Sequence, residues 1–158
     1  MNRAKGFSLI ELLIVVAIIL IIAAIAVPSY LHARIEANES SAVGSVRTVN
    51  TAEIAYNSAY PTVGYASTLS SLGGSSCAPA SETGACIIDT VLASGVKSGY
   101  TFSLGGAFGT PNSSYQLVAT PNVWDVTGIR YFCSFQDAVV RYNTTGISSC
   151  DTTVPSLN

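Results

Sequence analysis

The sequence predicts an α+β fold: one long N-terminal α-helix whose second half packs on a four-stranded antiparallel β-sheet. Three observations carry this reading. Residues 7–27 are 21 residues whose only charge is Glu11, and from Leu12 to Val27 the apolar run is unbroken. Residues 29–60 place Ile35, Ala42, Val46, Val49, Tyr56 and Tyr60 at spacings of three, four and seven, one stripe of a helix. Four short runs rich in β-branched and aromatic residues then follow, 100–104, 115–120, 129–135 and 138–142, each bounded by Gly, Pro or Asn.

The apolar run comes first. As a helix, residues 7–27 are about 31 Å long, enough to cross a bilayer core of about 30 Å. A carboxylate inside such a span is costly without a partner, which marks Glu11 as a functional candidate. The stub at 1–6 carries Arg3 and Lys5. These hold the start of the chain on the cytoplasmic side and place everything after Val27 beyond the inner membrane. An ordinary secretory signal also has a basic start, and Ala24-Ile25-Ala26 offers a small-residue cleavage site. Against it stand Glu11 inside the apolar stretch and a stretch longer than the usual 7–15 residues. A plain membrane anchor explains the length but not the acid.

Gly6, Phe7, Glu11 and Pro28 together resemble the class III signal of type IV prepilins: a short basic leader ending in Gly, then Phe, with Glu at the fifth mature position. The resemblance implies a leader at 1–6, a transmembrane and filament-core helix at 7–27, an amphipathic helix half at 28–60 and a globular region at 61–158. It implies that a prepilin peptidase cuts between Gly6 and Phe7 and methylates the new amine of Phe7. Assembly machinery then polymerises identical subunits into a helical filament, with Phe7, Glu11 and Pro28 as assembly residues and Glu11 paired with a neighbour's Phe7 amine. The precursor is expected in the inner membrane as a single-pass protein and the product in an extracellular pilus (a fimbrium), with cell adhesion, twitching motility, DNA uptake and electron transfer all left open as its role. A pseudopilin of a type II secretion system shares the N-terminal signature and stands as the alternative.

Pro28 is expected inside the continuing helix as a kink, because it leaves the Ala24 carbonyl without its donor. Glu36, Glu39, Arg47 and Glu53 are expected on the polar faces, and Pro61 ends the helix. Residues 62–98 read as loop, with a short helix at 87–93 stopped by Gly95. Gln136-Asp137 reads as a tight connection between the last two strands, and short connections make antiparallel neighbours the economical topology. A long helix on such a sheet resembles the type IVa pilin fold along the whole chain.

Charged residues are only 10% of the chain, so Ser, Thr, Asn, Gly and Tyr must build much of the surface. Without the leader, Arg34, Arg47, Lys97, Arg130 and Arg141 stand against nine acids, a net of −4. No basic patch of the kind that binds nucleic acid is visible. Cys77, Cys86, Cys133 and Cys150 all follow the span, in an oxidising compartment. Of three possible connectivities, Cys77–Cys86 and Cys133–Cys150 are favoured because both close short loops. The second also resembles the disulfide-closed C-terminal loop of many type IV pilins.

No enzyme is expected. A nucleophilic triad would have to use His32, the single histidine, which lies on the helix just past the membrane surface. Gly73-Gly74 and Gly105-Gly106 are turn material rather than a phosphate loop, so no cofactor is expected. Asp125, Asp137 and Asp151 do not form an EF-hand-type loop, the cysteines lack a C-x-x-C pair, and no metal site is expected. Asn112-Ser113-Ser114 and Asn143-Thr144-Thr145 match the glycosylation acceptor pattern.

Overall fold

In a computed structural model that describes residues 7–74 and 79–157, the chain forms a 51-residue helix α1 (Leu9–Ala59), two one-turn helices α2 (Leu69–Leu72) and α3 (Thr90–Ala93), and five strands. The strands are β1 (Val96–Lys97), β2 (Tyr100–Gly105), β3 (Gln116–Pro121), β4 (Tyr131–Phe135) and β5 (Arg141–Asn143). All pairings are antiparallel and the spatial order follows the sequence order, so the expected meander is found with one strand more than the four expected. The addition is β1, two residues pairing Val96 with Thr101 and Lys97 with Tyr100, too short to show a periodicity of its own. The residues fall into two compact units, a first ending at Arg34 and a second beginning at Ile35.

The second unit is built on the α1 stripe. Ile35, Glu39, Ala42, Val46, Val49, Glu53 and Tyr56 are buried and recur at alternating spacings of four and three, a heptad seam. Against this seam the sheet presents alternate residues. Tyr100, Phe102 and Leu104 of β2 lie beside Pro121, Ala119 and Leu117 of β3, and Phe132 of β4 lies beside Ala119 and Tyr142. These side chains, Pro121 apart, join Ala42, Val46, Val49, Ala52, Tyr56, Leu69, Leu72 and Leu92 in one core cluster. At about 1.5–3 kcal/mol for each fully buried large apolar side chain, this cluster is the main stabilising term.

Five expectations need correction. Glu39 and Glu53, expected on polar faces, lie in the buried seam because they satisfy backbone N–H groups there. The last strand is Arg141–Asn143 rather than 138–142. The link before it is longer than Gln136-Asp137, since Ala138 takes a positive φ of 58° and the Asp137 carboxylate accepts the Val139 N–H at 3.0 Å. β4 starts at Tyr131, because the N–H groups of Ile129 and Arg130 go to Glu39. The short helix begins at Thr90, capped by Asp89, whose carboxylate accepts the Leu92 N–H at 2.9 Å. That bond holds the Asp89 carboxyl below its ordinary range, as the Thr153 hydroxyl and N–H do for Asp151. α2 was not expected; Thr68 caps it by accepting from the Ser71 N–H.

Cys133 is on the sheet face opposite Phe132 and Ser134 and is disulfide-bonded to Cys150, with Cα atoms 5.9 Å apart. The C-terminal tail then runs along β5: Tyr142 N donates to Pro155 O at 3.0 Å and Leu157 N to Val140 O at 2.8 Å. The expected Cys77–Cys86 pair involves Cys77, which lies outside the described residues.

A buried polar layer crosses the core. Asn50 donates through Nδ2 to Ser134 Oγ (2.9 Å) and Ala138 O (3.1 Å), and its Oδ1 accepts from Tyr115 Oη at 3.1 Å. Burial pushes the Tyr115 and Tyr100 hydroxyls well above the ordinary phenol range. Glu53 is fully buried, accepts the Ala66 N–H at 2.8 Å through Oε2, and leaves Oε1 without a hydrogen-bond partner among the described residues. Burial pushes its carboxyl up to about 7, with the Ala66 N–H opposing the shift.

Two predictions follow from these contacts. Because the folded-state value for Glu53 lies above its ordinary 4.5, its contribution is fully present below about pH 4.5 and is lost as pH rises through about 7. Denaturant unfolding should therefore show lower stability at pH 8 than at pH 5, by at most about 3 kcal/mol, and Glu53→Gln should flatten that window. A wild-type profile flat between pH 5 and pH 8 would contradict this. For the disulfide, Cys133→Ser/Cys150→Ser should lower stability by about 3 kcal/mol on loop-closure grounds. A loss under about 1 kcal/mol would show that the tail's hydrogen bonds to β5 hold that end unaided.

Candidate assembly segment

The first unit is the apolar part of α1, the one long enough and apolar enough helix among the described residues to cross a membrane. Its large apolar side chains from Phe7 to Leu31 are all exposed, from 47% at Val16 and Leu31 to 83% at Phe7. A helix of a water-soluble domain hides such a stripe against its own chain; here the apolar surface runs all the way round. Helices with that distribution take lipid or other protein as their surroundings.

Glu11 lies in the first turn and accepts the backbone N–H of Ser8 at 3.0 Å. Leu12 N donates to Ser8 O at 3.3 Å, so the helix starts at this turn. Ser8-Leu9-Ile10-Glu11 is thus one half of a capping box, the acid reaching back to the N–H at the cap. The sequence pattern S-x-x-E before an apolar run was available to signal this local partner, which stands beside the expected pairing with a neighbour's Phe7 amine. The helix dipole adds further support for a negative charge at that end. Glu11 keeps free capacity, because a carboxylate accepts several hydrogen bonds.

Pro28 sits within continuous α-helix. Ser29 Oγ donates to Ile25 O at 3.3 Å, a side-chain bond to the turn that Pro28 weakens. His32 is exposed, as expected for a solvated or interfacial side chain. Gly6 lies outside the described residues, as does the leader before it.

The second unit holds its own ionic site at Glu39, which is buried. Oε1 accepts from Ile129 N (2.8 Å) and Arg130 N (3.0 Å), while Oε2 meets Arg130 Nε at 3.1 Å. This fastens the β3–β4 connection to α1 and leaves no carboxylate oxygen idle. Arg141 pairs with Asp137 at 2.6 Å and lies 4.5 Å over the Phe135 ring. Both are structural clamps. Among the described residues no group of three or more His, Cys, Asp and Glu side chains converges as a metal site.

One comparison with known proteins falls within the first unit. The prokaryotic N-terminal methylation motif matches residues 1–27. The type IV wide pilus major component PilA4 of Thermus thermophilus is 60% identical over 40 residues, which is 25% of this chain and 30% of that protein. The chain therefore aligns with less than a third of the length of the curated relative it matches. No solved structure matches. The chain thus carries a prokaryotic N-terminal methylation motif and is similar to a type IV pilin over a quarter of its length, with an apolar N-terminal helix and an antiparallel sheet of five strands among its described residues.

Proposed function

We propose that this chain is a structural subunit of a type IV pilus, made as a single-pass inner-membrane precursor, cut between Gly6 and Phe7, methylated at the Phe7 amine and polymerised through α1. The observation that supports this most is the exposed apolar helix surface from Phe7 to Leu31. Lipid covers it before assembly and the same segment of other copies covers it afterwards. Contacts of this head-to-tail kind do not close and so generate a helical filament.

In the mechanism, the methylated Phe7 ammonium of an incoming subunit meets Glu11 of a neighbour as water and lipid are excluded. An ion pair so enclosed contributes register more than stability, because desolvation offsets much of the attraction. The Ser8 N–H holds the carboxylate at the end of its helix meanwhile. The pilus reading is favoured over a type II secretion pseudopilin by the Cys133–Cys150 closure of the sheet's end, which suits a long-lived surface fibre. The expected Cys77–Cys86 bridge would add to it, and non-reducing peptide mapping reads it directly.

Mass spectrometry of the mature protein should find a methylated Phe7 at the N-terminus; a start at Val27 would overturn the processing step. Deleting the gene should abolish surface fibres in electron micrographs, whereas intact fibres with failed protein secretion would favour the pseudopilin. Glu11→Gln keeps an acceptor for the Ser8 N–H but removes the charge, and Glu11→Ala removes both. Both variants should insert and be processed, because losing a charge makes insertion easier. Both should fail to form fibres, since an unpartnered ammonium in an apolar core costs about 3–5 kcal/mol. Normal sheared-fibre yield from Glu11→Gln would show that capping, and not charge, is what the acid provides.

A further inference from the structure

β5 is an outer strand of the meander, and an outer strand offers backbone N–H and C=O groups to any extended chain that reaches it. Here residues 154–157 take them. Tyr142 N donates to Pro155 O at 3.0 Å, Leu157 N donates to Val140 O at 2.8 Å, and Arg141 and Ser156 pair antiparallel between these two bonds. Leu157 packs against the core cluster and, with Val43, Phe132 and Arg130, lines a groove of about 260 Å³. Val154 and Leu157 are half-buried, whereas Pro155 and Ser156 are exposed. Ladder bonds plus an apolar anchor are the means by which a sheet edge binds a peptide, the main chain giving affinity and the side-chain groove selectivity. Pro155 suits the place, since it pre-sets an extended backbone and is tolerated at a sheet edge.

The Cys133–Cys150 bridge keeps this segment on its own sheet. Cys150 stands four residues before Val154 and is fastened to β4 through Cys133. A turn follows it at once, Thr153 N donating to Asp151 Oδ1 at 2.8 Å and Val154 N to Asp151 O at 3.2 Å. Even with that turn opened and fully extended, four residues reach at most about 14 Å. Without the bridge the leash starts at Asn143, the end of β5 and eleven residues before Val154. Its reach is then at most about 40 Å. The shorter leash raises the effective concentration of the tail at its own edge and denies it a distant one. A second copy carries the same tail and the same edge, so two copies can exchange tails with every contact described above preserved.

We propose that the β5 edge and the groove at Val43 and Phe132 form a strand-binding site for residues 154–157, filled by the chain's own tail while the Cys133–Cys150 bridge is in place and open to the tail of a second copy when the bridge is absent. This goes beyond the pilus reading and does not depend on it. The bridge then does more than stabilise one sheet. It decides which copy's tail closes the edge, and it keeps copies that stand close together from becoming linked through their tails.

A fluorescent peptide of residues 153–158 serves as the tail of a second copy, and its anisotropy is read against the full-length chain in detergent micelles. Cys133→Ser/Cys150→Ser should bind the peptide at least tenfold more tightly than the wild type does, and a chain ending at Thr153 more tightly still. A peptide carrying Leu157→Asn should bind the shortened chain at least tenfold more weakly. Equal binding by the wild-type and shortened chains would overturn the proposal, as would indifference to Leu157→Asn. So would absent binding by a shortened chain whose near-ultraviolet circular dichroism matches the wild type. Should the shortened chain not fold, full-length Leu157→Asn takes its place, since it keeps the ladder bonds and loses only the anchor. That variant should take up the wild-type peptide several-fold more tightly than the wild-type chain does, and no gain would overturn the proposal equally.

Discussion

Everything in this molecule depends on α1 being one helix made for two surroundings. Its apolar surface is unbroken around the axis through residues 12–27 and narrows to a heptad seam after Ile35. The seam supplies the second unit with a core, because a helix can bury one stripe against one sheet face and no more. The unbroken part has no such option. Burying one large apolar side chain is worth about 1.5–3 kcal/mol, and none of those between Phe7 and Leu31 is buried. Membrane residence and filament assembly, as proposed, are two ways of meeting that one debt to water.

Carboxylates mark the points where the helix is fastened. Glu11 closes the start of α1 on the Ser8 N–H, Glu39 holds the β3–β4 connection and Glu53 holds the loop at Ala66. All three accept backbone N–H groups that have no strand or helix partner, which is why acids stand where the pattern asks for apolar residues. They differ in how completely they are satisfied. Glu39 has two N–H groups and a guanidinium, while Glu53 has one N–H and an oxygen with no partner among the described residues. The difference explains why burial raises the Glu53 carboxyl so far.

The heptad stripe, the meander and the Cys133–Cys150 closure were all legible in the sequence, because periodicity and turn residues report local geometry directly. Glu39 and Glu53 were misplaced since their charge argued for a polar face, although their spacing of four and three from Ile35, Ala42, Val49 and Tyr56 put them in the seam. The signal was there; the partners were not, because Ile129 and Ala66 are distant in sequence and their free N–H groups exist only in the fold. β1 was missed for a similar reason: two residues pair with β2 only because Gly95 and Gly99, at φ 83° and 75°, turn the chain back. At the N-terminus the residue types that suggest processing and assembly were plain, and the capping role of Glu11 was written in Ser8 three residues before it.

The central claim is that the exposed half of α1 ends up against the same half of other copies, with the Phe7 amine of one beside Glu11 of another. Solid-state NMR on fibres assembled from an equal mixture of subunits tests it, one pool labelled with 15N at Phe7 and the other with 13C at the Glu11 carboxyl. The account predicts a through-space 15N–13C contact in the mixed fibres, which only an intersubunit pair produces. Its absence in mixed fibres, alongside a contact in fibres of doubly labelled subunits, would place the pair within one chain and contradict the mechanism.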